Sequence, residues 1–315
     1  MKGRGISGSA TVCGGNCDCA GRAGAGWRAL WTLLAALLLL TPAWANRVLE
    51  DDAGHKVSLP DRPQRVICLS PSITQTVYAL GAAGQVAGIT DFTDYPPQAL
   101  REKPSVGELL HPSLEKIVAL HPDLAIALAS MNSADTLRAL ERVGIPVFLV
   151  TAHGIAGIYH DTELLGRVLG REAQAAALLD QMHRREQAVR VRARGRRPPS
   201  VFLVLAMEPC ITAGHNAFIS EMIEAAGARS ISTAIPQEWT RYSLETVLQQ
   251  QPDYLLILRG VPFGLRDMQQ HPVWRKLRAV QQGHVIVIDD RLQVPAPIAF
   301  DGLEDFSRQL QAQSR

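Results

Sequence analysis

Residues 113–128 read SLEKIVALHPDLAIAL, and residues 243–258, offset by 130 positions, read SLETVLQQQPDYLLIL. The two stretches agree at Ser, Leu, Glu, Pro, Asp and the final Leu. In each, a serine supplies a side-chain oxygen at a helix N-cap, a short helix follows, Pro-Asp ends it, and an apolar run reads as a buried strand. A helix-then-strand unit recurring at one offset predicts two related α/β lobes.

The flanking sequence extends both units in the same way. Residues 66–69 (VICL) read as a strand, Ser70-Pro71-Ser72 as a helix entry and Gly81 as its stop. Residues 201–205 open the second half alike, followed by a loop over 206–214 and a helix ending near Gly227. Residues 147–150 and 285–288 add buried strands. Strands alternating with helices predict mainly parallel sheets, hence two Rossmann-like lobes with a ligand cleft between them. Residues 157–194 have helical periodicity, with Gly166 and Gly170 almost the only turn signals, and lead into the basic stretch RGRRPP at 194–199. This predicts a long, rigid helical connector over 157–197, between an N-terminal lobe at 46–156 and a C-terminal lobe at 198–315.

The first 45 residues read differently. Arg28 precedes an apolar run over 30–40, then Thr41-Pro42 and Ala43-Trp44-Ala45, an A-x-A cleavage pattern. The run is short for a bilayer span, so the expectation is a signal peptide, a mature chain starting near Asn46 and a periplasmic product not embedded in the membrane. The leader carries Lys2, Arg4, Arg22 and Arg28 against Asp18, so the net charge of +2 falls to about −1 after cleavage. A nearly neutral body argues against a nucleic-acid partner, which needs a basic face.

Of five cysteines, Cys13, Cys17 and Cys19 lie ahead of the apolar run, and no cysteine stands at the cleavage point to carry a lipid. Cys68 and Cys210 remain, one in a predicted strand and one in a predicted loop, and read as two free thiols, one of them buried. The sequence has no phosphate-cradling loop, no nucleophile elbow and no H-E-x-x-H pair, so neither a catalytic residue nor a resident cofactor or metal is expected. An α/β enzyme or a metallochaperone is the less favoured class.

In parallel α/β lobes, ligands settle outside the carboxyl ends of the strands. This places the cleft loops at 70–72, 90–97, 206–214, 235–241 and 289–297, with Phe92, Tyr95 and Trp239 as their aromatics. His111 and His215 fall in loops from which either can face the cleft; contact by them, or by Cys210, stays open.

The residues Asp94-Tyr95-Pro96-Pro97-Gln98-Ala99, then Val106-Gly107, Leu114–Leu120 and Pro122-Asp123-Leu124, give the chain a resemblance to the periplasmic cobalamin-binding protein family. That family belongs to the helical-backbone class of ABC-importer binding proteins, which also includes ferric-siderophore and haem binders. The resemblance runs from about Arg65 to the C-terminus and implies two lobes joined by a single long helix. It implies that Glu115 and Glu245 dock onto arginines of the two subunits of a permease homodimer, and that the ligand is cobalamin or another metal chelate.

Matched by position, Phe92 stands at an aromatic contact, Trp239 at a cleft tryptophan and Asp290 at a polar contact on the rim. This sequence departs from the family at Leu109 and Leu128, where tryptophans are expected, at Ile211 for a phenylalanine and at Val294 for an arginine. The haem branch carries a tyrosine after the Val-Gly pair, where this chain has Glu108. A ferric-siderophore carrier is the alternative within the class; the basic residues available to it are Arg241, Arg259 and Arg291.

Overall fold

A computed structural model describes residues 46–151 and 153–313. The expected signal peptide and its three cysteines lie outside the described residues.

The N-terminal lobe opens with an antiparallel hairpin, β1 (Asn46–Glu50) and β2 (Lys56–Pro60). The chain then alternates β3 (Val66–Cys68), α1 (Pro71–Ala79), β4 (Val86–Ile89), α2 (Pro97–Glu102), α3 (Leu114–Ala119), β5 (Leu124–Leu128), α4 (Ala134–Arg142) and β6 (Val147–Val150). Its sheet is parallel throughout, in the order β4-β3-β5-β6. All five residues of β5 are buried because helices cover both faces of the sheet. Val66, Cys68, Ile126 and Phe148 pack on one side with Ile73 and Val77 of α1; Ile67, Ala125 and Leu149 pack on the other with Ile117 of α3.

The connector consists of two helices, α5 (Gly154–Leu169) and α6 (Glu172–Ala193). The long helix is α6, and the expected continuous run is interrupted at Gly170, whose φ of 64° is left-handed. There Arg171 N–H bonds the Gly166 carbonyl and Gly170 N–H that of Arg167, a Schellman closure that needs a residue without a Cβ penalty. Gly166 then lets the helices lie close, since a Cβ on it would run into Ala175 of α6. The first connector helix is packed into both lobes. Ile155 and Ile158 of α5 enter the core of the second lobe, while Leu164, Leu165 and Val168 enter that of the first.

The C-terminal lobe contains β7 (Ser200–Val204), β8 (Ala206–Met207), β9 (Cys210–Ala213), α7 (Phe218–Ala225), β10 (Arg229–Ser230), β11 (Trp239–Arg241), α8 (Leu244–Gln250), β12 (Tyr254–Leu258), α9 (Leu265–Gln270), α10 (Arg278–Gln281), β13 (Val285–Ile288) and α11 (Ala299–Gln313). Its main sheet, β10-β7-β12-β13, is again parallel. Numbered within its own lobe, each main sheet has the strand order 2-1-3-4. The sequence repeat maps onto this match: α3 and β5 of one lobe correspond to α8 and β12 of the other. Ser113 Oγ accepts the Lys116 N–H and Ser243 Oγ accepts the Thr246 N–H, so both predicted N-caps form.

Among the described residues, the second lobe carries a small sheet that the first lacks. β8, β9 and β11 form a small antiparallel sheet, so the stretch read as a loop over 206–214 is mostly strand. Cys210 therefore sits on a strand and is buried; both described cysteines are buried free thiols, in place of one buried and one in a loop.

Candidate functional site

In a sheet of order 2-1-3-4 the chain leaves strands 1 and 3 in opposite directions, which opens a crevice at their carboxyl ends. Both lobes turn that edge toward one cleft of about 1200 Å³. From the first lobe, Ser70, Ser72 and Gln75 follow β3; Phe92, Asp94 and Tyr95 follow β4; Leu128, Ser130 and Met131 end β5. From the second, Arg259 follows β12 and Asp289, Asp290 and Arg291 follow β13, with His215 just ahead of α7 and Glu221 and Glu224 on it. His153 and Gly154 of the connector close the back.

The walls carry unusually exposed aromatics. Phe92 is 76% exposed, Trp239 49% and Tyr95 40%. Phe92 also has a left-handed φ of 63°, a conformation disfavoured for a residue with a Cβ. Large rings left open in one concavity leave apolar surface for a ligand to cover.

The electrostatics are lopsided. Asp94, Glu221, Glu224, Glu238, Asp289 and Asp290 line the cleft against Arg259 and Arg291. Arg291 is already engaged, its Nε 2.7 Å from Asp289 Oδ1 and its Nη2 2.9 Å from Asp305 Oδ2. Arg259 Nε lies 3.7 Å from Asp289 Oδ2. The Arg291 hydrogen bonds hold the Asp289 carboxyl below its ordinary value. Burial pushes its neighbour Asp290 up, aided by the negative charges of Asp289 and, from the other lobe, Asp94. The cleft is therefore acidic and its arginines are paired.

Of the residues expected at a ligand, the cleft brings together Phe92, Tyr95, Leu109, Trp239, Asp290 and Val294, and Leu128 and His215 with them. Ile211 lies outside that lining. In the β9–β11 register it pairs with Arg241 while Ala213 pairs with Trp239, so Ile211 shares the tryptophan's face but sits one pleat further from the cleft. Arg241, His111 and Cys210 likewise lie outside the cleft lining, as does the whole stretch 206–214. Glu115 and Glu245 are exposed in the first turns of α3 and α8. Sequence reasoning missed Gln75, Ser130, Met131, His153, Glu221 and Glu224. For Ser130 and Met131 the available signal was the end of strand 3 of the first lobe, which any 2-1-3-4 sheet aims at the crevice; Gln75, His153, Glu221 and Glu224 reach it through helices α1, α5 and α7.

This fold and cleft define a class: two-lobed binding proteins that hold one bulky ligand between α/β lobes spaced by helices. The model of the periplasmic binding protein family matches residues 66–292, and the chain belongs to that family. An uncharacterised ABC transporter substrate-binding lipoprotein of Bacillus subtilis is 26% identical over 270 residues, 83% of this chain and 84% of its own length. A cobalamin-binding protein of Halobacterium salinarum is 31% identical over 264 residues, 79% of this chain and 70% of its own. Among solved structures, the periplasmic vitamin B12-binding protein of Vibrio cholerae superposes with a TM-score of 0.70 at 26% identity, covering 81% of this chain and all of that one.

The protein is thus a periplasmic substrate-binding component of an ABC importer, not an enzyme, and its partners are a small-molecule ligand and an ABC permease. Among the described residues, no helix is long and apolar enough to cross a membrane.

Proposed function

We propose that this chain captures cobalamin (vitamin B12) or a related corrinoid in the periplasm and delivers it to its permease. The observation that carries the reading is an acidic cleft of about 1200 Å³, walled by Phe92, Tyr95 and Trp239, whose arginines are paired with Asp289. A corrin is a wide, flat ring with apolar faces, uncharged peripheral amides and a cationic metal. Aromatic walls suit its faces, and surplus carboxylates do not repel it. Haem propionates and anionic siderophores meet the opposite situation, since they need unpaired cations.

A ferric-siderophore carrier is the second reading. It is favoured by Arg259, whose side chain is 67% exposed and can swing from Asp289 to a ligand.

The reading extends to the permease. Glu115 and Glu245 repeat at one offset, each exposed one residue after the N-capping Ser-Leu step. A pseudo-twofold protein presenting one carboxylate per lobe matches a twofold permease dimer. Residues 1–45 act as the export signal in this reading, and Asn46 begins the mature chain.

The test is calorimetric titration of the chain from Asn46 onward with cyanocobalamin, a ferric trihydroxamate and haem. One-to-one cobalamin binding that weakens at least about tenfold in Trp239→Ala supports the assignment. Siderophore binding without cobalamin binding keeps the importer class and overturns the ligand.

A further inference from the structure

Helix α1 puts a pair of polar side chains into the cleft wall that the fold does not use up. Ser72 and Gln75 stand three positions apart, on one face of the helix, and both line the cleft. Both are more than nine-tenths buried, Ser72 being 6% and Gln75 7% exposed. Gln75 Oε1 has no hydrogen-bond partner. Ser70 Oγ accepts the Ile73 N–H at 3.2 Å and lies 2.9 Å from Ser72 Oγ, so Ser70 can spend its own proton on Ser72 and leave the Ser72 proton for the cleft. Native folds rarely leave a buried carbonyl-type oxygen unpaired. The terminal torsion of glutamine is a broad, roughly two-fold rotor, so the unpaired oxygen can turn to the cleft without moving α1.

We propose that Ser72 and Gln75 form a carboxamide-recognition subsite in the first lobe, the Ser72 hydroxyl donating to the ligand's amide oxygen and Gln75 Oε1 accepting its N–H. The proposal rests on the corrinoid reading for its natural ligand, whose periphery carries primary carboxamides. A carboxylate in the same place offers no N–H: Gln75 can meet it only by turning Nε2 outward and leaving Oε1 buried and unpaired, in a cleft whose other carboxylates already repel the charge. The subsite thereby selects amide from acid, a distinction that aromatic walls do not make.

The test compares wild type with Gln75→Leu, close in volume but without the acceptor, using cyanocobalamin, its peripheral monocarboxylic acid derivatives, a ferric trihydroxamate with backbone amides, and haem, which has carboxylates but no N–H donor on its rim. The expected result is about a tenfold loss of cyanocobalamin affinity in the variant, from one lost hydrogen bond. Wild type should reject at least one monocarboxylic acid derivative, and Gln75→Leu should narrow that preference. Unchanged cobalamin affinity in a folded variant overturns the subsite while leaving the cobalamin assignment standing.

If wild type takes the trihydroxamate in place of cobalamin, the corrinoid reading falls alone, and Gln75→Leu must still weaken that ligand's binding; binding of haem only overturns both. In ligand-free protein the melting temperature of Gln75→Leu should equal or exceed that of wild type, because an unpaired buried acceptor has been removed. A drop of several degrees means that Gln75 is satisfied within the fold, which also overturns the proposal.

Discussion

Glu221 Oε2 accepts the backbone N–H of Ile155 at 2.9 Å, so a carboxylate of the second lobe closes the first turn of connector helix α5. His153 makes no side-chain cap of its own, and a Cβ on Gly154, whose φ is 66°, would strike the Glu221 carboxylate. Glu221→Ala should therefore cost about 1 to 2 kcal/mol, the range for losing a helix cap bonded by a charged group. Gly154→Ala should cost more than about 1 kcal/mol through its left-handed backbone alone. Urea unfolding of each variant reads both values, and an unchanged midpoint for Glu221→Ala would mean that the cap contributes nothing.

Arg291 is held by Asp289 within its own segment after β13 and ties that segment to α11 through Asp305, with Asp301 also nearby. Because the folded-state pKa of Asp289 is lowered, its contribution to stability is fully present above the ordinary carboxylate range and is lost as pH falls through the folded value. Arg291→Met removes the cause of the shift. The stability advantage of wild type over this variant should be full at about pH 6 and shrink below about pH 4. Denaturation midpoints across that interval test it; a gap that widens toward acid contradicts the assigned sign.

The docking proposal makes a separable claim. Reversing charge at both lobes, Glu115→Lys with Glu245→Lys, should abolish uptake while cyanocobalamin affinity stays within about twofold, because neither residue lines the cleft. Each side chain is exposed and the capping serines are untouched, so the stability cost should be limited to about 1 to 2 kcal/mol from the two reversed charges at helix N-termini. Transport at the wild-type rate by the double variant ends the idea.

The thiols supply a probe of the two cores. Burial pushes the pKa of Cys68 up to about 12 and that of Cys210 to about 11, and they sit in the hydrophobic cores of different lobes. Since the thiolate is the reactive form, a chain from Asn46 onward should react with a thiol reagent at pH 8 only on the timescale of unfolding, and then at both cysteines. Fast labelling of one thiol in native protein would show that its lobe opens locally.

Much of the fold was legible in the chain because its determinants are local. The fully apolar runs at 124–128 and 254–258 are strands covered on both faces, and Ser113 and Ser243 are N-caps formed within three residues of themselves. The break at Gly170 was visible as a glycine but not as a helix end, because a glycine inside a helical pattern costs only about 1 kcal/mol and becomes a stop only when its carbonyl partners are drawn into a Schellman closure.

The candidate site was legible in part. Asp290 follows a strand that the sequence locates, whereas Phe92 and Tyr95 follow β4 and Trp239 opens β11, two strands the sequence reading did not show, and the pleat of register along β9 that sets Ile211 back from the cleft is invisible without its partner β11. By itself the sequence determined that there are two related α/β lobes, where their caps and strands fall and which ends of the strands face a ligand. The tertiary structure alone decided that Gln75 and Glu221 share a cleft with residues far along the chain, and that Arg291 is spent on Asp289 and Asp305. The physical reason is range: capping and periodicity act over a few residues, whereas burial, ion pairing and an unpaired acceptor are properties of groups that meet only after the lobes have packed on α5 and α6.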